Sequence, residues 1–356
     1  MTQPEHESEF TIAKGNDVSV VIPVHNEADA LPDLIDAILH SLESVNVNPT
    51  VIVVDDGSTD NTEAVVNDFS RSVTGDLYVR QFHQDNRGAP AARNLGLVES
   101  RGEFIQFLDS DDLLEPEKLS AQVRVMREYR RLQMVFSQWQ CAEHGRPVED
   151  TAWRKNFSAD RANLLDLLLG KSRRQTLPLW TANTLYRRSL CMRLGPWDTR
   201  LVRLQDRLYN LRALLLAIPY RYIPAMHARA RRHGGDRISD HFAEVESLEN
   251  MRAAWRTMQD LLTGSGALNG RRRRLLGRTY YSLARPAFIA GAGQLGAELL
   301  GEGLAIAPVS AIWLKLQLVR LLYRVLGTAG ANRLFGWKMR LATSLRAAFS
   351  GAHHHR

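Results

Sequence analysis

Four short apolar runs, each halted by polar residues, set the pattern of the first 120 positions. Val18 to Val24 is β-branched and nearly continuous, as a parallel strand covered on both faces requires, and it stops at His25-Asn26-Glu27. Leu31, Leu34, Ile35, Ile38, Leu39 and Leu42 then follow at helical spacing. Thr50 to Val54 is a second buried strand that ends at Asp55-Asp56-Gly57-Ser58-Thr59-Asp60. Gly57 permits a tight turn there, and Ser58 or Thr59 is placed to cap the next helix, which runs through Phe69. Leu77 to Phe82 is a third strand, leading to the segment Asn86 to Asn94, whose small residues let a helix begin close to a ligand. Arg93 sits one turn inside that helix. The fourth run, Phe104 to Leu108, stops at Asp109-Ser110-Asp111-Asp112, and a further helix is expected from about Glu115-Pro116.

Strands alternating with helices predict an open, doubly wound α/β sheet, whose ligands sit at the carboxyl ends of the strands. Asp109 and Asp111 are two residues apart at such an end, so both can face one crevice. Hard oxygen ligands that close together suit Mg²⁺ or Mn²⁺ shared with a phosphate-bearing substrate. Taken in isolation, a pair of this kind favours a turn that caps the following helix, so the case for a metal depends on what lies upstream.

From about Asp240 the pattern changes to helix after helix. Ser247 to Leu262 is amphipathic, Arg271-Arg272-Arg273-Arg274 opens another helix, and residues 311–326 carry a broad apolar face broken by Lys315, Arg320 and Arg324. Charge changes with it: residues 1–240 carry 30 Lys/Arg against 33 Asp/Glu, whereas 241–356 carry 16 against 6. Basic helices with Trp313, Tyr323 and Trp337 suit an anionic membrane surface, or else a helical lobe whose arginines are its wet face. No recognition motif accompanies the charge, which argues against nucleic acid as a partner. Cys141 and Cys191 make no disulfide framework and lack zinc spacing. Residues 1–16 read as a frayed leader without the apolar core of a secretory signal, and no charge-free apolar run is long enough to span a bilayer. The expected location is therefore cytoplasmic, with peripheral contact on the inner face of the cell membrane.

The segments VVIPVHNE, VVDDGSTDNT, NRGAPAARNLG and FLDSDD, in that order and spacing, closely resemble the family 2 glycosyltransferases of GT-A fold. The resemblance covers roughly residues 17–240 and implies a leader (1–16), a GT-A domain with an open mixed sheet (17–240) and a basic α-helical region (241–356). It implies inverting, non-processive transfer of one sugar from a nucleotide-diphospho-sugar, most often a UDP-sugar, to a hydroxyl of a glycan or lipid-linked acceptor. Asp109 and Asp111 match the family's DxD, which would hold Mn²⁺ or Mg²⁺ with Asp111 as the direct ligand. Asp112 reads as a cap for the next helix, and Ser110 joins the donor-binding set.

The same resemblance places Asp56 on the nucleotide base, Pro23, Val24 and Glu27 in the loop beneath base and ribose, and Arg93 near the diphosphate. Leu194-Gly195-Pro196-Trp197-Asp198 resembles the family's Gly-Gly-Phe-Asp stretch. Asp206 then matches the acidic general base, although Gln205 stands where relatives usually have Glu. No QxxRW follows, so the processive synthases are a poor match. His233, in a segment similar to Arg-x-His-x-x-Ser, is a candidate third metal ligand, while Trp180 and Asn183 fall where relatives contact the acceptor. Two other readings compete. One is a catalytically silent GT-A scaffold docked at a membrane. The other is a nucleotidyltransferase, which would want a Gly-rich loop and a Lys after the first strand.

Overall fold

The computed structural model describes residues 16–43, 48–72, 77–143, 146–147, 160–170, 179–232 and 244–307. The expected leader (apart from Asn16), His233 and the 311–326 segment therefore lie outside the described residues. Strands β1 (Asn16–Val24), β2 (Asn48–Asp55), β3 (Tyr78–His83) and β4 (Phe104–Phe107) pair in parallel in the order β3-β2-β1-β4. They alternate with α1 (Leu31–Glu43), α2 (Thr62–Ser72) and α3 (Ala89–Glu99).

The runs lack polar alternation because both faces of the strands are covered. Val18, Val20, Ile22 and Val24 share a core with Leu31, Leu34 and Ile38 of α1 and with Val66 and Phe69 of α2. On the other face, Ile52 and Val54 pack on Ala92 and Leu95 of α3. Helix α3 lies so close to β1 that a Cβ on Gly96 would stand 2.3 Å from Val21 Cγ1. Pro23 is tolerated in central β1 because its ladder with β4 ends at Val21–Phe107, so the missing N–H faces no ladder partner there.

Beyond β4 the sheet becomes mixed. It continues through β8 (Thr184–Arg187), β6 (Met134–Glu143), β9 (Tyr220–Arg232) and β5 (Asp112–Leu114), with β7 (Arg146–Pro147) paired on β6. Only residues 108–111 separate β4 from β5, yet β5 leaves its neighbour and pairs antiparallel with β9. This corrects the expectation for Asp112: it opens β5, and α4 (Lys118–Glu128) begins later, after Glu117. Helix α6 (Arg188–Leu194) follows β8 directly.

The chain divides into two compact units. The sheet with α1–α4 and α6 makes one. The other joins α5 (Arg161–Leu168) and α7 (Gln205–Leu215) to α8 (Val245–Gly264), α9 (Gly270–Ile289) and α10 (Gly293–Ile306). Two helices that precede residue 240 thus pack with the C-terminal ones, tied in part by Asp166 of α5, whose carboxylate takes Arg272 Nε at 3.0 Å and Arg271 Nε at 2.8 Å. Leu248, Met251, Trp255 and Met258 of α8, Leu275, Leu276 and Leu283 of α9, and Leu299 and Leu300 of α10 are all buried. The apolar faces of α8–α10 are therefore occupied within this unit. No described helix is long and apolar enough to cross a membrane.

Candidate donor-binding site

The loops after β1 and β2 are laced together by side chain to backbone bonds. His25 Nδ1 lies 2.9 Å from the Asp56 carbonyl. A carbonyl can only accept, so Nδ1 carries the proton and Nε2 is left to accept from the amides of Asn26 (3.2 Å) and Asn86 (3.3 Å). Asn26, at φ 55°, occupies the left-handed region that Asn tolerates. Its N–H donates to Ser58 Oγ (2.9 Å), and its Oδ1 accepts from Thr59 N (2.8 Å). Ser58 and Thr59 thus hold the β1 loop instead of capping α2. Asp60, one residue before the N-cap position Asn61, accepts from Thr62 N at 3.0 Å and also from Ala28 N at 3.2 Å. Slight burial pushes the Asp60 carboxyl up, but hydrogen bonds from Thr62 and Ala28 outweigh it and hold the group below its usual range. Glu27 N donates to Thr62 Oγ1 at 2.9 Å, fixing the backbone of this expected donor residue.

Asp56 is the hub. It is 4% exposed, and its N–H donates to the carbonyl of Val24 at the buried end of β1. Its carboxylate accepts from Gln84 Nε2 (2.7 Å), Arg87 N (2.8 Å) and Gly88 N (2.7 Å). Gly88, at φ 85°, is the N-cap position of α3, so Asp56 sets where that helix begins. A carboxylate offers about four acceptor directions, and three are taken by the protein. Asp55 beside it accepts from Ser58 N at 2.9 Å and lies 3.1 Å from His83 Nδ1.

Along α3, Arg93 is 4% exposed and not a solvated helix charge. Its guanidinium donates to Asp109 and lies 4.8 Å from the Trp197 ring centroid. Thr181 Oγ1 reaches the other Asp109 oxygen at 3.2 Å. Trp197 also meets Phe107 edge-on at 5.0 Å. Its backbone is clasped by the Asn94 side chain, which accepts from Trp197 N (2.7 Å) and donates to Trp197 O (3.0 Å). Contacts therefore run from His25 to Asp56, from Asp56 to the start of α3, and from Arg93 on α3 to Asp109. Ser110 is buried in the turn that Asp112 N closes on Asp109 O at 3.1 Å, and Asp111 is half-buried.

Trp180 is half-buried, with its ring 4.2 Å from that of Trp139. Asn183 differs from the expectation of an acceptor contact. It is fully buried, accepts from Trp180 N (2.9 Å) and donates to Ser137 O (2.6 Å), so it shapes the sheet edge that carries Trp180 and Thr181. Asp206 lies in the first turn of α7, one residue inside the helix, and belongs to the second unit with α8–α10. Burial pulls the pKa of its neighbour Arg207 down, and the Asp206 charge partly restores it. His25, Asn94 and Thr181 were not singled out by sequence reasoning. Asn94 had one available signal, its place directly after Arg93.

The donor chemistry of the Asp109–Asp111 turn fits a hard divalent cation. Asp109 is held by Arg93 and Thr181, and Asp111 follows two residues on in the same turn. Mg²⁺ characteristically binds through one or two carboxylates with substrate phosphates completing the shell. Among the described residues no group of three or more His, Cys, Asp or Glu could hold a metal ion alone.

The fold is similar to that of S. aureus TarS residues 1–349 in complex with UDP, with a TM-score of 0.59 and 18% identity over 82% of this chain and 81% of that one. The same protein in complex with UDP-GlcNAc gives 0.59 at 19% identity, covering 82% of each chain. This places the architecture in the GT-A class of mixed α/β sheets. Residues 19–195 match Glycosyl transferase family 2, and through them the chain belongs to that family. A Rickettsia felis protein described as an uncharacterized glycosyltransferase is 34% identical over 132 residues, 37% of this chain and 21% of that protein. Glycosyltransferase GlyG of Streptococcus pneumoniae is 34% identical over 112 residues, 31% of this chain and 35% of that protein. The matched stretch thus spans only 21% to 35% of these relatives' lengths.

Proposed function

We propose that the chain is an inverting, metal-dependent glycosyltransferase. It moves a single sugar from a nucleotide-diphospho-sugar, with UDP as the nucleotide, to a hydroxyl of a glycan or lipid-linked acceptor at the membrane surface. The observation that carries this reading is the contact chain from Asp56 through α3 to Asp109, which fixes an acid at the carboxyl end of β4. The UDP and UDP-GlcNAc complexes of TarS, a protein of similar fold, support the choice of nucleotide.

In this reading the fourth acceptor direction of Asp56 takes a base N–H, and the loop of Pro23, Val24 and Glu27 lies beneath base and ribose. Arg93 holds Asp109 in its rotamer, and Ser110 lies in the turn that meets the donor. Asp109 and Asp111, with His233 as a third candidate, would hold Mn²⁺ or Mg²⁺, which supplies charge neutralisation on the diphosphate leaving group. Trp180 offers an aromatic face to the acceptor sugar. Asp206 takes the proton of the attacking hydroxyl, and attack opposite the leaving group inverts the anomeric centre.

UDP release from a panel of UDP-sugars with oligosaccharide or polyprenyl-phosphate-linked acceptors tests the assignment. Asp206→Asn is expected to lower turnover on the order of 10²–10⁴-fold with UDP affinity unchanged, the range for loss of a general base. Full turnover in that variant would remove Asp206 from the mechanism. No release with any donor, despite UDP binding, would favour a silent scaffold.

A further inference from the structure

We propose that the exposed arginine stripe of α9 docks the protein on an anionic lipid bilayer. The inference deepens the reading above, which places a lipid-linked acceptor at a membrane, by naming the surface that meets it. Helix α9 contains six arginines and no acid. Arg272 is buried and committed to Asp166 and to the carbonyls of Ala267 and Ala162, and Arg271 shares Asp166. The two acids of α10, Glu298 and Glu302, are taken by Arg252 and Arg256 of α8. Arg273, Arg274, Arg278 and Arg285 meet no carboxylate among the described residues.

At about 100° per residue, Arg271, Arg274, Arg278 and Arg285 fall within a stripe roughly 60° wide and about 21 Å long. Arg273, Arg274 and Arg278 are exposed, Arg285 is half-buried, and Ile289, on the same line one turn further, is 59% exposed. Apart from Arg271, which pairs with Asp166, the stripe works against the helix that carries it. Cations in the first turn oppose the helix dipole, and Arg274 and Arg278 repel each other at i,i+4. The opposite face already packs Leu276, Tyr280 and Leu283, with Leu275 and Phe288 buried at its flanks, so the helix cannot insert that face into lipid. What remains is guanidinium-to-phosphate contact along a line, the chemistry of a polybasic surface on anionic headgroups.

A soluble polyanion would meet the same chemistry. The bilayer is favoured by the exposed Ile289 at the end of the stripe, an apolar side chain with no use on a polyanion. It is favoured too by the composition beyond α10: residues 308–356 hold eight Lys/Arg, no Asp/Glu, and Trp313, Tyr323 and Trp337.

The test is co-sedimentation of the whole chain with phosphatidylcholine vesicles, with and without phosphatidylglycerol, for the parent and for Arg274→Gln/Arg278→Gln/Arg285→Gln. The parent is expected to bind only the anionic vesicles. The triple variant should partition on the order of a hundredfold more weakly, about fivefold per arginine, with UDP affinity and thermal midpoint unchanged. Equal partitioning of parent and variant would overturn the proposal, because the membrane would then be met elsewhere. Binding of inorganic polyphosphate by a parent that ignores anionic vesicles would also overturn it, in favour of a soluble polyanion. Loss of UDP binding by the parent, with vesicle docking intact, would sink the transferase reading and leave the docking surface standing.

Discussion

Removing the Asp56 carboxylate should unfasten the β3–α3 loop before it affects anything else. Asp56→Ala deletes one acceptor that serves Gln84 Nε2, Arg87 N and Gly88 N at 2.7, 2.8 and 2.7 Å. A hydrogen bond to a charged group contributes about 1.5–3 kcal/mol when its partner stays dry. Arg87 is exposed and Gly88 and Gln84 are half-buried, so water can replace part of each bond. The three together should then be worth about 2–4 kcal/mol rather than their full sum. For a unit of this size that corresponds to a fall of roughly 5–15 °C in thermal midpoint. Asp56→Asn keeps one carbonyl oxygen and turns an N–H toward the donors that met the other, so about half the loss is expected. Both variants should also weaken UDP binding at least tenfold, since the start of α3 is no longer fixed and the acceptor for the base is altered. Differential scanning calorimetry and UDP titration on the three proteins give the two readouts. An Asp56→Ala protein that unfolds within a degree of the parent would refute the reasoning, because the three bonds would then be carrying no load.

The remaining predictions concern packing and charge. The Lys118 amine is fully buried with no hydrogen-bond partner among the described residues, and burial pulls its pKa well below the ordinary 10.5. The folded chain therefore holds that proton less tightly than the unfolded chain, so stability should rise as pH climbs from the folded pKa toward 10.5. Lys118→Met should stabilise the protein by about 1–3 kcal/mol at neutral pH in urea unfolding, and the gain should shrink in alkali; a variant less stable than the parent would contradict this. Asn94→Ala removes both bonds to the Trp197 backbone, which should cost about 1–2 kcal/mol, alter the near-UV circular dichroism of the Trp197–Phe107 pair and lower turnover through Arg93 and Asp109. An unchanged spectrum would show that the clasp does not set the ring. Gly96→Ala drives a Cβ to 2.3 Å from Val21 Cγ1 and should destabilise by about 1–3 kcal/mol. Gly301→Ala in α10, where nothing lies within 4 Å, should instead be neutral or stabilise by up to about 1 kcal/mol, so equal effects at the two glycines would contradict the packing described.

The central strands were legible because burial on both faces leaves unbroken β-branched runs, and acids at their ends mark the ligand edge whatever the chain does next. Asp112 was misread because β5 begins within the same turn, and three residues are too few to show a period. Ser58 and Asp60 are both good capping residues. Which one bonds the first turn of α2 is decided by Asn26, 32 residues from Ser58, and that partnership leaves no local trace. Asn183 was placed by resemblance among acceptor contacts, whereas its side chain bonds Ser137 and Trp180, which only the folded sheet brings to it. The apolar spacing of α5 and α7 shows which face each helix buries but not against what, so their union with α8–α10 could not be foreseen from periodicity.

The most direct test of the donor site is titration calorimetry of UDP, GDP and dTDP into the parent and Asp111→Ala proteins, each with and without Mn²⁺. Binding of UDP alone that requires Mn²⁺ and disappears in Asp111→Ala is the predicted result. No binding of any nucleotide by the parent with metal present would contradict the account.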